Sequence, residues 1–321
     1  LDSEFMLRLF LALIPSLLVI VLTYYVSREM YDDKRVAIIS MLAMAFLWEH
    51  IFYSNRFHTE NFSLIFQYLA ILVLFKGYVK KEKFFSIDPK YSLILVALLS
   101  VIAVIFRPGN IIFVPALILF VPLVNLKFLR THAKVSRIVL LGILLVGLLA
   151  LFNLSKIPIV SSYYAPNNPI SFSSLTVFKG FFMPAGISLG LSSWFYVFFL
   201  LGIVVALIGL WLRFPLIKEF KRDKEDLSTK SDIFNLLLIV CVLFAFIFLM
   251  RVSAFEFRWF FPLAIAMLAM TSKGTVVIGD YLGKYSKDAP TYFILIILAL
   301  SLYGQFDYSK DLVESKRTSY Q

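Results

Sequence analysis

Residues 5–27 read FMLRLFLALIPSLLVIVLTYYVS, and the next apolar run, residues 36–54, reads VAIISMLAMAFLWEHIFYS. Between them lies the charged stretch REMYDDKR, residues 28–35. A helix needs roughly 20 mostly apolar residues to cross a hydrocarbon core about 30 Å thick. Both runs reach that length, and Arg28, Lys34 and Arg35 between them belong in water. The opening of the chain therefore predicts two membrane-spanning helices joined by a short basic turn.

The same reading extends outward. Further apolar runs occupy 61–79, 91–106, 110–126, 137–153, 192–213, 232–250, 258–272 and 290–304. The fourth and fifth spans are separated only by Arg107, Pro108 and Gly109. The predicted fold is all-α, a polytopic transmembrane helical bundle of about ten spans forming one membrane domain over 1–304, with a polar tail at 305–321. Composition agrees: 60% of the 321 residues are hydrophobic and 16% charged, against ~45–50% and ~25% in soluble domains. Phe (34 residues) and Tyr (16) are abundant, and aromatic rings suit lipid-facing and interfacial positions. No fixed-period repeat is visible.

Loop charge sets the topology. The odd-numbered connections carry Arg28, Lys34 and Arg35; Lys76, Lys80, Lys81, Lys83 and Lys90; Lys127, Arg130, Lys134 and Arg137; Arg213, Lys218, Lys221, Arg222, Lys224 and Lys230; and Lys273, Lys284 and Lys287. The even-numbered ones carry only Arg56, Arg107, Lys156, Lys179, Arg251 and Arg258. Lys and Arg concentrate in cytoplasmic loops, so the odd connections are expected inside and both termini outside. This accounts for the net charge of +11 without a nucleic-acid partner. A multi-pass plasma-membrane location follows as the default.

Cys241 lies in an apolar run and, as the single cysteine, permits no internal disulfide. The polar stretch 213–231 reads as a solvated cytoplasmic linker. The outside connection 153–191, with several Pro, Gly and aromatic residues, reads as a loop with an interfacial amphipathic segment. The chain opens at Leu1 with no signal-peptide pattern; an outside N-terminus of this kind is expected to follow a further helix.

Polar residues at the outside ends of the spans fall in three clusters. Arg56, His58 and Glu60 lie between spans two and three, just after Glu49 and His50. Arg107 and Asn110 occupy the turn between spans four and five. Arg251, Glu256 and Arg258 lie between spans eight and nine. Glu60 reads either as a helix-opening acid favoured by the helix dipole or as a carboxylate that orients an acceptor, a sugar or a metal. His58 is an interfacial residue or its partner in that chemistry. Glu49, near the end of an apolar run, calls for a partner, with His50 and Arg56 in reach. Arg107 and Arg258 are snorkelling anchors or phosphate ligands, since the guanidinium fork matches phosphate oxygens; Arg56 is the third candidate. A divalent metal stays open, because Glu60 with His58 is too small a ligand set to decide it. No phosphate-binding glycine loop, zinc-type His spacing or Ser-nucleophile motif occurs.

Several segments resemble the GT-C membrane glycosyltransferases, nearest the dolichyl-phosphate-mannose protein mannosyltransferase and aminoarabinose transferase branch. SEFMLRLFLALIPSLLVIVLTYYVSREMYDDKRVAIISMLAMAF (3–46) resembles that family's helix pair joined by a Tyr-rich basic turn. HIFYSNRFHTENFSLIFQYLAILVLFKGY (50–78) is similar to its next segment, with Glu60 at the position of the helix-opening acid. FRPGNIIFVPALILF (106–120) resembles its Arg-Pro turn, and EFRWFFPLAIAMLAM (256–270) its late Arg-aromatic-x-x-Pro helix start. Glu49 departs from the pattern, standing where the family usually has Pro. The resemblance implies transfer of a sugar from a polyprenyl- or dolichyl-phosphate carrier to a glycan, lipid or protein acceptor on the outer face. It also implies a principal catalytic acid in a first outside loop, which would precede Leu1. Two other readings remain: a transporter or lipid flippase, in which ionisable residues sit near the midplane, and a non-catalytic subunit.

Overall fold

The structure, a computed structural model, describes residues 6, 9–47, 50–51, 59–124, 193–213, 223–244, 261–300 and 303. Among these residues the architecture is helical without a β-strand; Phe84 and Ile87 form an isolated bridge. A π-helical turn, Leu9–Leu13, leads into α1, Ile14–Tyr31. Next come α2, Lys34–Phe46, and α3, Glu60–Val73, prolonged by π-helical turns at Leu74–Val79. They are followed by α4, Ser92–Phe106, a 3₁₀ segment, Pro108–Phe113, and α5, Val114–Val124. The series ends with α6, Ser193–Arg213, α7, Asp223–Phe244, α8, Ala264–Leu282, and α9, Ala289–Leu300.

Among the described residues four helical stretches are long and apolar enough to cross a membrane: Leu9–Tyr31, Glu60–Val79, Pro89–Phe106 and Phe261–Leu282. Shorter apolar helices cover Pro108–Val124, Val197–Leu210 and Ala289–Leu300. The outer flank of α4 exposes Ile94, Leu98, Val101 and Ile105, the last at 72%, and α1 exposes Leu17, Leu18, Val21 and Tyr25. Soluble monomers rarely leave such contiguous apolar faces uncovered, whereas lipid covers them at no cost. The chain has the build of a membrane protein.

Helix α8 is the hub, buried along most of its length, with α2, α6 and α7 against it. In lipid, helix association relies on close packing of small residues rather than on the hydrophobic effect. Here a Cβ on Gly202 of α6 would lie 2.2 Å from the Met270 carbonyl oxygen of α8, and one on Gly274 would lie 2.8 Å from the Phe198 carbonyl oxygen. Only two glycines facing each other permit this approach. Across the other side, Ser40 Oγ of α2 donates to Ser272 Oγ at 2.9 Å.

The turn between α1 and α2 follows directly from its two acids. Asp32 closes α1 in the left-handed region (φ 51°), its N–H returning to the Arg28 carbonyl. Asp33 caps α2, its carboxylate accepting from the Arg35 N–H at 2.7 Å. Partial burial pushes the Asp33 carboxyl up, but hydrogen bonds and charge from Arg35 outweigh it and hold the group below its usual range.

Among the described residues the charged helix ends lie together. Lys80 pairs with Glu29 at 2.6 Å, and Arg35 with Asp280, gathering the turn between α1 and α2, the start of the connection after α3 and the end of α8 at one end of the bundle. At the other end Ser16 meets His50 at 3.1 Å and Arg107 meets Glu60 at 4.0 Å.

Three expectations are corrected. The second span, expected as one run over 36–54, is interrupted: its helix closes at Phe46, Leu47 turns extended, and His50 and Ile51 are helical again, the Ile51 N–H reaching the Leu47 carbonyl at 3.0 Å. Residues 223–231, expected in a solvated linker, form the opening turns of α7, with Leu227, Thr229 and Ser231 buried; Ser231 Oγ donates to the Met30 carbonyl. Lys273, expected in a cytoplasmic connection, lies inside α8, because its ammonium pairs with buried Asp232 of α7. The sixth span, 137–153, the outside segment 153–191 and the tail 305–321 lie outside the described residues.

Candidate active site

The site is built on the turn between α4 and α5. Pro108 disfavours helical backbone at the residue before it, so Arg107 is extended (φ −146°, ψ 100°) and α4 ends there. The Arg107 N–H still reaches the Ala103 carbonyl at 3.1 Å, and the Asn110 N–H reaches back to the Arg107 carbonyl at 2.9 Å. The tight reversal turns the Arg107 side chain towards the start of α3.

Glu60 opens α3 in its first turn, where the positive end of the helix dipole favours a carboxylate. Arg107 Nε stands 4.0 Å from Glu60 Oε1, with the two side chains 10% and 6% exposed. That separation is an ion pair and not a hydrogen bond. The Arg107 guanidinium also lies 6.0 Å from the Phe261 ring centroid, at the outer limit of cation–π contact. Arg107 is therefore packed inward and does not snorkel.

A chain of buried hydrogen bonds fixes this geometry. Gln67 Nε2 donates to the Pro262 carbonyl at 2.9 Å. Asn110 Nδ2 donates to Gln67 Oε1 at 3.2 Å and to Ser63 Oγ at 2.6 Å. Ser63 Oγ donates to the Ala103 carbonyl at 2.6 Å. The two terminal carbonyls can only accept, so the direction of every bond in the chain is determined. Asn110 uses both amide hydrogens, and its Oδ1 is buried without a partner among the described residues. Ser63, Gln67 and Asn110 are almost fully buried. Leaving such groups unpaired costs about 1–3 kcal/mol each, so the network holds α3, α4, the 107–110 turn and the start of α8 in one register.

Two of the predicted clusters thus converge: Glu60 from the first with Arg107 and Asn110 from the second. Phe261 and Pro262, at the start of the last long span, also reach this place. Arg56, His58, Glu49, Arg251, Glu256 and Arg258 themselves lie outside the described residues. His50 is buried and partnered with Ser16 of α1. No group of three or more His, Cys, Asp or Glu residues gathers as a metal site among the described residues.

Ser63 and Gln67 were not singled out from the sequence. The signal was present: Glu60, Ser63 and Gln67 are spaced to share one face of a helix, a polar stripe along an otherwise apolar span. Asp232, Lys273, Tyr31 and Asn235 form a second buried polar group, towards the basic end. There Tyr31 Oη donates to Asp232 Oδ1 at 3.0 Å and accepts from Asn235 Nδ2 at 2.9 Å.

No protein-family model, no curated protein and no solved structure matches the chain.

Proposed function

We propose that the protein is a membrane glycosyltransferase that takes a sugar from a polyprenyl-phosphate carrier at the Glu60–Arg107 end of the bundle. The observation that carries this reading is the inward-packed Arg107 beside Glu60, scaffolded by Asn110, Ser63 and Gln67. It stands where α3, α4 and α8 meet, at the end away from the lysine-rich connections.

In such a reaction an acceptor hydroxyl or amine attacks the anomeric carbon. The acceptor's proton passes to a general base, the bond from that carbon to the phosphate oxygen breaks, and the carrier phosphate leaves with the electron pair. Arg107, with Arg258 and Arg56 as its expected companions, covers the negative charge that gathers on the phosphate. Arriving phosphate competes with Glu60 for the guanidinium, releasing the carboxylate to orient the acceptor or a sugar hydroxyl, with His58 beside it. A bilayer-embedded site suits a donor whose prenyl chain stays in lipid. By loop charge this end faces outward from the plasma membrane.

The test is sugar transfer by the protein in proteoliposomes supplied with polyprenyl-phosphate sugars and peptide, glycan or lipid acceptors. Arg107→Ala and Glu60→Gln are expected to lower turnover at least about a hundredfold, the range seen for loss of one charge-stabilising donor. Unchanged transfer in both variants removes these residues from the chemistry.

One observation favours a second reading, a transporter or flippase: the buried Asp232–Lys273 pair inside helices α7 and α8, since ionisable residues within a membrane commonly mark ion or proton paths. Gradient-driven solute or lipid movement abolished by Asp232→Asn, without sugar transfer by the unsubstituted protein, would establish it instead.

A further inference from the structure

Buried hydroxyls on these helices commonly turn back onto their own backbone. Thr23 Oγ1 donates to the Val19 carbonyl at 2.8 Å, Ser100 Oγ to the Val96 carbonyl at 2.7 Å and Thr271 Oγ1 to the Met267 carbonyl at 2.7 Å. Ser27 of α1 makes no such bond. It is fully buried, and its Oγ has no hydrogen-bond partner among the described residues. Asn235 of α7 is fully buried as well, and its Oδ1 is likewise without a partner. Unpaired oxygens are costly in a low-dielectric interior, so two of them in one place call for a ligand.

The two do belong to one place. Ser27 and Tyr31 are four residues apart and share a face of α1. A long helical side chain leans over the turn before its own, which for Tyr31 is the turn that begins at Ser27. Asn235 reaches the same phenol, its Nδ2 donating to Tyr31 Oη at 2.9 Å. The phenol's one hydrogen goes to Asp232 Oδ1 at 3.0 Å. Tyr31 can therefore only accept from Asn235, which fixes the amide orientation and leaves Oδ1 as its unmet acceptor. The helix directions agree. Ser231 Oγ on the Met30 carbonyl sets the early turns of α7 beside the end of α1. Helix α7 also packs on Pro108–Phe113, at the Glu60 end, so it runs antiparallel to α1. One turn onward from Ser231 stands Asn235, and one turn back from Tyr31 stands Ser27.

Ser27 Oγ, Tyr31 Oη, Asn235 Oδ1 and the Asp232 carboxylate thus gather between α1 and α7. All are hard oxygen donors, and together they carry a single negative charge. Such a set suits an alkali cation, whereas a divalent ion would leave an extra positive charge within the membrane, where charge is expensive. The Lys273 ammonium, from α8, pairs with Asp232 and lies 5.3 Å from the Tyr31 ring centroid. It stands at this carboxylate as a tethered monovalent cation. Its side chain is 13% exposed and long enough to carry the ammonium towards the charged end of the bundle. We propose that Ser27, Tyr31, Asp232 and Asn235 form a sodium site, at which sodium and the Lys273 ammonium compete for one carboxylate. The site requires neither sugar transfer nor transport, and it lies away from the Glu60–Arg107 pair.

The experiment heats the whole protein in detergent with a thiol-reactive dye reporting on Cys241, the single thiol, in sodium chloride or choline chloride at one ionic strength. A ligand that binds only the folded protein raises the midpoint of unfolding as its concentration rises. Sodium is expected to raise the parent's midpoint above its value in choline. In Lys273→Met the same rise is expected at sodium concentrations at least about tenfold lower, because sodium no longer has to break a buried ion pair. Adding Ser27→Ala to Lys273→Met raises the sodium needed severalfold. Adding Ser100→Ala, which removes a hydroxyl bonded within its own helix, leaves it unchanged. Asp232→Leu/Lys273→Met, which fills the place of the pair with apolar groups, loses the response. A parent indifferent to sodium overturns the proposal, as does a Lys273→Met protein that needs as much sodium as the parent. A response that survives Asp232→Leu, or that ignores Ser27→Ala, also overturns it. A response to magnesium chloride at lower concentration than to sodium chloride assigns a divalent ion and overturns the sodium assignment.

Discussion

Replacing Gly202 with Ala tests the packing on which the bundle rests. The added Cβ would sit 2.2 Å from the Met270 carbonyl oxygen and 2.7 Å from its carbon. Normal contact between such atoms begins well above 3 Å, so α6 and α8 must part by about 1 Å at their crossing. The obstacle is backbone, which cannot rotate away as a side chain would. Overpacking of this kind costs about 1–3 kcal/mol, and the upper half of that range applies here. Ala returns up to about 1 kcal/mol through its better helix propensity, leaving a net loss of ~1–2 kcal/mol. Gly209, two turns further along α6, meets nothing within 4 Å, so Gly209→Ala keeps the propensity gain of about 0.5–1 kcal/mol without the clash. The same substitution on the same helix is thus expected to act in opposite directions. Cys241 supplies the assay, as the single thiol of the chain and only partly buried. On heating the solubilised protein with a thiol-reactive fluorogenic dye, Gly202→Ala should react several degrees below the parent and Gly209→Ala at or above it. A Gly202→Ala midpoint no lower than that of Gly209→Ala would refute the close crossing.

Other substitutions separate buried from exposed charge. Removing one partner of the buried Asp232–Lys273 pair, as Asp232→Asn or Lys273→Met, should cost about 3–5 kcal/mol, while Asp232→Leu/Lys273→Met recovers most of it; thermal midpoints of the three variants decide. The exposed Arg35–Asp280 pair, with side chains 46% and 51% exposed, should change stability by no more than about 1 kcal/mol in Asp280→Asn, and by less in high salt. Asn110→Asp replaces the amide that donates to Ser63 and Gln67 with a group that can only accept when ionised. It should cost ~2 kcal/mol or more and lower sugar transfer along with stability, whereas Asn110→Gln, which keeps the donor, should do less harm to both; melting curves and turnover on the same preparations check this.

The apolar runs gave the helices their places well, because a span must be apolar for about the thickness of the bilayer whatever it packs against. Expected 61–79 and observed Glu60–Val79 nearly coincide, as do 91–106 and Ser92–Phe106. Where a helix ends or continues was harder to read, because long-range partners decide it. Lys273 looks like a loop residue until Asp232, far away in the chain, is seen to neutralise it. The turns before 232 look solvated until Ser231 is seen to cap the Met30 carbonyl. The convergence of Glu60 with Arg107 was expected only as a shared side of the membrane. Its cause, the relay through Ser63, Gln67 and Asn110, depends on hydroxyl and amide groups that hydropathy treats as minor blemishes in an apolar run.

The central claim is that the Glu60–Arg107 end and the lysine-rich end face opposite sides of one membrane. Two single-cysteine proteins in a Cys241→Ser background test it, one with Thr59→Cys beside Glu60 and one with Ser286→Cys between α8 and α9, both exposed positions. A membrane-impermeant maleimide applied to intact cells should label position 59 at once and position 286 only after permeabilisation. Labelling of both from the same side, or of 286 alone in intact cells, would contradict the account.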